Sequence, residues 1–379
     1  MDFQFTEEQE AIREAASGIF VGMVDPDRVA EIERSDDRVD RELWAALAAA
    51  DLLGLGTPEA FGGIGGGMVE IGLVLEAQGK VVAPVPLLAT LVGGALPIAR
   101  YGSSELQGAW LPRVVSGEVI LTAALADAAT STLQQPAVRA TVTADGWELT
   151  GTAMAVPFAH VASALLVPAR TSEGEIVVAL VESGTAGLSL ERVETTNRSI
   201  HPTLQLDAVQ VAADCIVAGA DRGREALDAM LAWAQTGLAI TQIGVCEAAL
   251  AQTAAHLNER TQFGRTLSSF QGTMLRAADA GIDIEAIRVT AWQAAWRLDE
   301  GLPAAEAVLV AKWQAAERGQ RAVHATQHLH GGTGADISYP IHRYFLWGKQ
   351  IELELGSPSI QIARLGQLIA ERPDQVIAR

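Results

Sequence analysis

The chain has 379 residues, 49% hydrophobic and 19% charged, enough for two or three domains around a large buried core. Its net charge of −19 argues against nucleic acid or an anionic membrane as partner. A polyanionic cofactor stays open, because arginines and helix N-termini build positive pockets inside acidic proteins. The two cysteines, Cys215 and Cys246, form no CxxC, which points to core residues in a reducing cytoplasm. The opening stretch MDFQFTEEQEAIREAA is acidic and amphipathic, unlike a signal peptide, and the absence of a run of about 18 apolar residues predicts no membrane span.

Residues 1–118 read as helices. Thr6 and Gln9 make a capping-box pattern ahead of the first apolar run. Arg41–Leu53, Met68–Lys80 and Leu87–Tyr101 carry further helical patterns, the last two separated by Pro84 and Pro86. The glycines from Gly62 to Gly67 follow a helix-like segment. They therefore read as a connection, since a dinucleotide loop needs a strand before it.

From 119 to 218 the pattern changes to short β-rich runs. Val138–Val142 and Trp147–Thr150 flank Asp145-Gly146, a hairpin signal, and Val161–Val167, Ile176–Glu182 and Thr203–Val211 follow. Without alternating helices, these runs predict an antiparallel β domain. From 222 to 379 the chain is helical again: Glu225–Glu259, Phe270–Glu300, Pro303–Leu329, and Ile341–Ile369 broken near Gly356-Ser357-Pro358. Short connections predict an antiparallel four-helix bundle, with Trp292 and Trp296 as a core ladder. His324 and His328, four residues apart with His330 nearby, are weak metal candidates, because no glutamate completes an HExxH.

Two C-terminal motifs carry chemistry. Arg260-Thr-Gln262-Phe263-Gly264 is followed by Gln271, and His328-Leu-His330-Gly331-Gly332-Thr-Gly334 comes about 60 residues later. An arginine grips a pyrophosphate bidentately, and glycines let backbone N–H groups approach phosphate or ribose oxygens. The alternative for Arg260 is a solvated ion pair along its own helix. With the helix–sheet–helix order, these motifs resemble the acyl-CoA dehydrogenase family over the whole chain.

The resemblance implies an α+β fold: an N-terminal helical domain (1–118), a middle antiparallel β domain (119–218) and a C-terminal four-helix bundle (222–379). It implies FAD as cofactor, contacted by Arg260, Phe263, Gln271, Gly331 and Gly332 across a subunit interface. Gln327 or His328 then stands in for the family's adenosine-side glutamine.

The departures from the family gather at its chemistry. The usual catalytic glutamate lies in a Glu-Gly-Thr whose register falls here on Leu355-Gly356-Ser357, and the alternative register in the first bundle helix falls on Ala234, between Trp233 and Gln235. None of these is a general base. Glu352 and Glu354 are out of helical register with Leu355. The family's flavin loop corresponds to Leu125–Thr132, and its Trp-Ile-Thr stretch to Met154-Ala155-Val156-Pro157. This constellation resembles the non-catalytic subunit of the heterotetrameric (α2β2) acyl-CoA dehydrogenases of actinobacterial steroid and cholesterol catabolism. Such a subunit completes the FAD site of a paired catalytic chain. The alternatives are a self-sufficient homotetramer using Glu352 or Glu354, and a flavin-free scaffold.

Overall fold

The computed structural model describes residues 4–126 and 133–371. The chain divides into two compact units, Met1–Met23, Asp27–Val74 and Pro84–Ala234 in one, Val24–Pro26, Leu75–Ala83 and Gln235–Arg379 in the other.

The chain begins with α1 (Glu7–Met23), α2 (Pro26–Ile32) and α3 (Arg41–Ala49). The capping box closes in both directions: Thr6 N donates to Gln9 Oε1 at 3.0 Å and Gln9 N to Thr6 Oγ1 at 3.2 Å. Asp40 caps α3 by accepting from Leu43 N at 3.0 Å and receives two hydrogen bonds from Arg28. Burial pushes the Asp40 carboxyl up, but the Arg28 and Leu43 hydrogen bonds outweigh it and hold the group below the usual carboxylate range. α3 ends before the predicted Leu53, because Asp51 turns into the left-handed region and a 3-10 turn, Leu52–Gly54, follows.

The glycine-rich stretch is a connection: Gly65 pairs with Leu55 in an isolated bridge, and Gly67 N donates to Glu70 Oε2 at 2.7 Å. α4 (Met68–Val81) follows it. The run predicted at Leu87–Tyr101 starts as a π-helix, Leu88–Ala95, and tightens into α5 (Leu96–Tyr101). Pro97 has no N–H for the α ladder, so the turns ahead of it widen. α6 (Ser104–Val115) starts on its Ser103 cap.

One eight-stranded sheet follows, built from β1 (Leu121–Ala123), β2 (Arg139–Val142), β3 (Gly146–Ala153), β4 (Ala164–Arg170), β5 (Ile176–Glu182), β6 (Leu188–Glu191), β7 (Thr203–Ala212) and β8 (Ile216–Ala218). The order is β6-β7-β3-β2-β4-β5-β8, with β1 also on β4. Asp145-Gly146 makes the expected β2–β3 hairpin, with Val142 opposite Trp147. Most pairs are antiparallel, but β4 pairs in parallel with β1 and β2, a mixture that the run-by-run pattern did not reveal. Leu149, Leu165, Val167, Val177, Val181 and Val209 fill the sheet's core.

The helical remainder comprises α7 (Gly223–Glu259), a short ribbon of β9 (Thr261–Gln262) and β10 (Arg265–Thr266), then α8 (Gln271–Asp299), α9 (Ala305–Leu329), α10 (Ile341–Leu353) and α11 (Pro358–Glu371). The fourth predicted run is two helices, broken where expected before Pro358. α4 and α7 approach closely: a Cβ on Gly244 would lie 2.0 Å from the Glu76 carbonyl oxygen, and one on Gly79 2.3 Å from that of Thr241. The tryptophan ladder is not a core feature. Trp292 and Trp296 are half-buried, while the small Ala291, Ala294 and Ala295 take the core positions of α8. α7 is long and apolar enough to cross a membrane, which the sequence reading missed because Gln and Thr are mixed into its uncharged stretch. That stretch is 83% buried within the protein, as befits a core helix.

Candidate functional site

The first motif begins where α7 ends. Arg260 N donates to His256 O at 2.9 Å, closing the last turn, and Leu267 N donates to Arg260 O at 2.9 Å. The backbone is thus fixed at both ends while the side chain is exposed. Among the described residues, the guanidinium makes no ion pair or hydrogen bond. The solvated ion pair considered from the sequence is absent there.

Gln262 pairs with Arg265, leaving Phe263-Gly264 as a two-residue turn. Both residues have positive φ, 53° and 78°, as a type I′ hairpin turn requires. Left-handed backbone suits Gly264 but strains a phenylalanine. The turn leaves the Phe263 ring 92% exposed, edge-on to Phe270. Arg265 stacks over Phe270 at 3.9 Å. Gln271 is exposed in the first turn of α8, whose N-cap residue, Phe270, offers no side-chain acceptor. The first N–H groups of α8 therefore favour a negative partner.

The second motif closes α9. Gln327 is spent inside the protein: its Nε2 donates to Gly334 O at 2.9 Å. Gly334 is required there, because a Cβ would fall 2.2 Å from the Gln327 carbonyl oxygen. His328, one position on, is exposed. Gly331 (φ 61°) and Gly332 are exposed, with open space where a Cβ would stand. His330 Nδ1–H donates to Thr326 O at 2.9 Å, and its ring stacks on that of His256 with centroids 4.4 Å apart. Because His256 lies one turn before Arg260 and His330 just before Gly331, this stack brings the two motifs together. His324 packs edge-on against Phe345, so His324 and His330 serve different neighbours, and among the described residues no three metal-ligating side chains converge.

Leu355 is buried and has a left-handed backbone (φ 53°). Its carbonyl accepts from Gln235 Nε2 at 2.9 Å and Gln361 Nε2 at 2.8 Å. Lys312, fully buried, donates to the carbonyls of Ile351 (2.8 Å), Gly356 (3.1 Å) and Glu352 (3.4 Å). Burial pushes its ammonium down to about 8, against the opposing pull of Glu354 and Glu352. Glu352 is held by Lys349, and Glu354 accepts from Gln350 at 3.1 Å. Sequence reasoning missed Lys312 and Gln361. The available signal was a single lysine within the apolar face Val308, Leu309, Ala311, Ala315, Ala316 of α9. Ala234, the other register, is buried.

In the segment matching the family's ring-side stretch, Met154 is exposed and Val156 N donates to Pro202 O at 2.9 Å. Thr122 Oγ1 donates to Pro157 O at 2.6 Å. Of the flavin-loop segment, Asp127–Thr132 lies outside the described residues.

The acyl-CoA dehydrogenase N-terminal domain family matches residues 6–118, and the C-terminal domain family matches 221–370. The chain is 37% identical to acyl-CoA dehydrogenase FadE27 of Mycobacterium tuberculosis, over 98% of this chain and all of that protein. Among solved structures it resembles the Tcur3481-Tcur3483 steroid ACAD (46% identity, TM-score 0.91, 96% of this chain and 98% of that one). It also resembles the ChsE4-ChsE5 complex from Mycobacterium tuberculosis (38% identity, TM-score 0.93, 98% of this chain and 100% of that one).

Proposed function

Given that the chain belongs to the acyl-CoA dehydrogenase family, whose members are FAD-dependent oxidoreductases, we propose that it is the non-catalytic subunit of a heteromeric enzyme and completes the FAD site of a paired catalytic chain. The observation that carries this reading is Leu355. At the family's base register stands a buried side chain that cannot take a proton, on a turn locked by Gln235, Gln361 and Lys312. The neighbouring carboxylates, Glu352 and Glu354, are already engaged by Lys349 and Gln350.

The residues at the two motifs suit a diphosphate. Arg260 offers an uncommitted guanidinium, α8 an uncapped N-terminus, and Gly331 and Gly332 a backbone free of side chains. Arg260 and Gln271 would hold the pyrophosphate side of FAD, and His328, Gly331 and Gly332 its adenosine side. Gln327 would shape the turn from within. Phe263 would pack against the partner, which is a use for an exposed ring on strained backbone. Held there, FAD would supply the hydride acceptor for α,β-dehydrogenation of the thioester. This chain would position it, while the paired chain supplies the base and most of the flavin pocket.

The two similar structures, one a steroid ACAD and one a complex, support a steroid side-chain CoA thioester as substrate and an α2β2 assembly. Free Cys215 and Cys246 fit a cytoplasmic site of action. The test is co-expression with the catalytic chain, measuring flavin per chain and oxidation of steroid side-chain CoA thioesters. The expected result is a colourless isolated chain and an active complex with one flavin per pair. A homotetramer holding one FAD per chain and reduced by an acyl-CoA would overturn this, and loss of that reduction in Glu354→Gln would identify the base.

A further inference from the structure

His256 and His330 belong to neither predicted contact set, yet their rings stack at 4.4 Å with planes 28° apart. His330 is 4% exposed. Its Nδ1–H is committed to Thr326 O, so Nε2 carries the lone pair, and that atom finds no hydrogen-bond partner among the described residues. Tyr339, ahead of α10, tilts against the His330 ring at 5.3 Å. The groups acting electrostatically on His256 are His330, and Arg260 and Glu259 at the end of α7; among the described residues no carboxylate is hydrogen-bonded to either ring.

We propose that this stack is a positioning clasp, holding Arg260 at the end of α7 against the Gly331–Gly332 turn so that the pyrophosphate and adenosine sides of the cofactor are gripped by one rigid unit. The inference rests on the flavin reading above. The clasp is built for neutral rings. Burial lowers both imidazoles, and His330 and Arg260 lower His256 further. With folded values below the ordinary one, the unfolded chain binds protons first as pH falls. The stack's contribution is therefore complete above about 6.5 and is lost progressively below it.

The test uses the complex purified with its catalytic chain, reading flavin retained per complex after dialysis between pH 5 and 8. The parent should shed flavin as pH drops below about 6.5. His256→Ala should retain roughly three- to tenfold less flavin at neutral pH, the size of a lost aromatic pair. His256→Phe, which keeps an aromatic face against His330 but cannot titrate, should restore retention and reduce the acid loss to the part owed to His330. In the isolated chain, NMR should show the His256 midpoint rising in His330→Phe. If Arg260→Ala lowers flavin while His256→Ala matches the parent at every pH, the clasp is refuted and the flavin reading stands. If Arg260→Ala also leaves flavin unchanged, both fall. A His256 midpoint unmoved by His330→Phe refutes the coupling of the two rings.

Discussion

Lys312 anchors the turn that carries Leu355. Its ammonium is fully buried and satisfies three carbonyls at the turn between α10 and α11. Lys312→Met keeps the volume but takes the ammonium from the Ile351 and Glu352 carbonyls, leaving Gly356 O only Gln361 Nε2 at 3.3 Å, and should cost about 2–4 kcal/mol in urea unfolding. The pH dependence has a definite sign. The folded value, about 8, lies below the ordinary lysine value, so the unfolded state binds more protons between them. Stability attributable to Lys312 should rise as pH climbs through that window, and Lys312→Met should lack the rise. Arg260→Ala should lower flavin per complex about tenfold or more, with Arg260→Lys intermediate because lysine keeps the charge and loses the fork. Leu355→Glu supplies a carboxylate at the register but no partner pocket, so the isolated variant should show no acyl-CoA-dependent flavin reduction. Such reduction in the isolated variant would mean the chain seats its own flavin.

Elements explain why some sequence patterns were readable. The capping box, the Asp145-Gly146 hairpin and the break before Pro358 are each set by neighbouring residues, and each stands where it was expected. The parallel pairing of β4 with β1 and β2 depends on strands far apart in sequence, and so could not be read from any one run. The glycines of α4 and α7 carry a separate consequence. Gly244→Ala puts a methyl 2.0 Å from a backbone oxygen that cannot rotate away. We expect a loss of roughly 1–3 kcal/mol or more, visible as a lower Tm. α8 carries exposed Leu275, Ile282 and Val289, apolar residues at helical spacing on a surface otherwise rich in charge. If this face meets the paired chain, the double change Ile282→Glu with Val289→Glu should split the complex in size-exclusion chromatography while leaving the isolated chain's circular dichroism unchanged.

At the scale of the whole molecule, the assembly sets the flavin count. Native mass spectrometry of the co-expressed complex should give two copies of each chain and two flavins, and four flavins would contradict the division of labour proposed here. By itself the sequence determined the order of helices, sheet and helices and the two glycine-bearing C-terminal motifs. All of these are written in local periodicity, turn chemistry and spacing along one chain. Only the tertiary structure distinguished the placements of Gln327 and His328, turning the first inward to Gly334 and leaving the second exposed. It also turned His330 from a weak metal candidate into the partner of His256, and placed Lys312 under the Leu355 turn. The physical reason is the same in each case. A polar side chain's role follows from which donor or acceptor reaches it, and those partners lie tens of residues away in the chain.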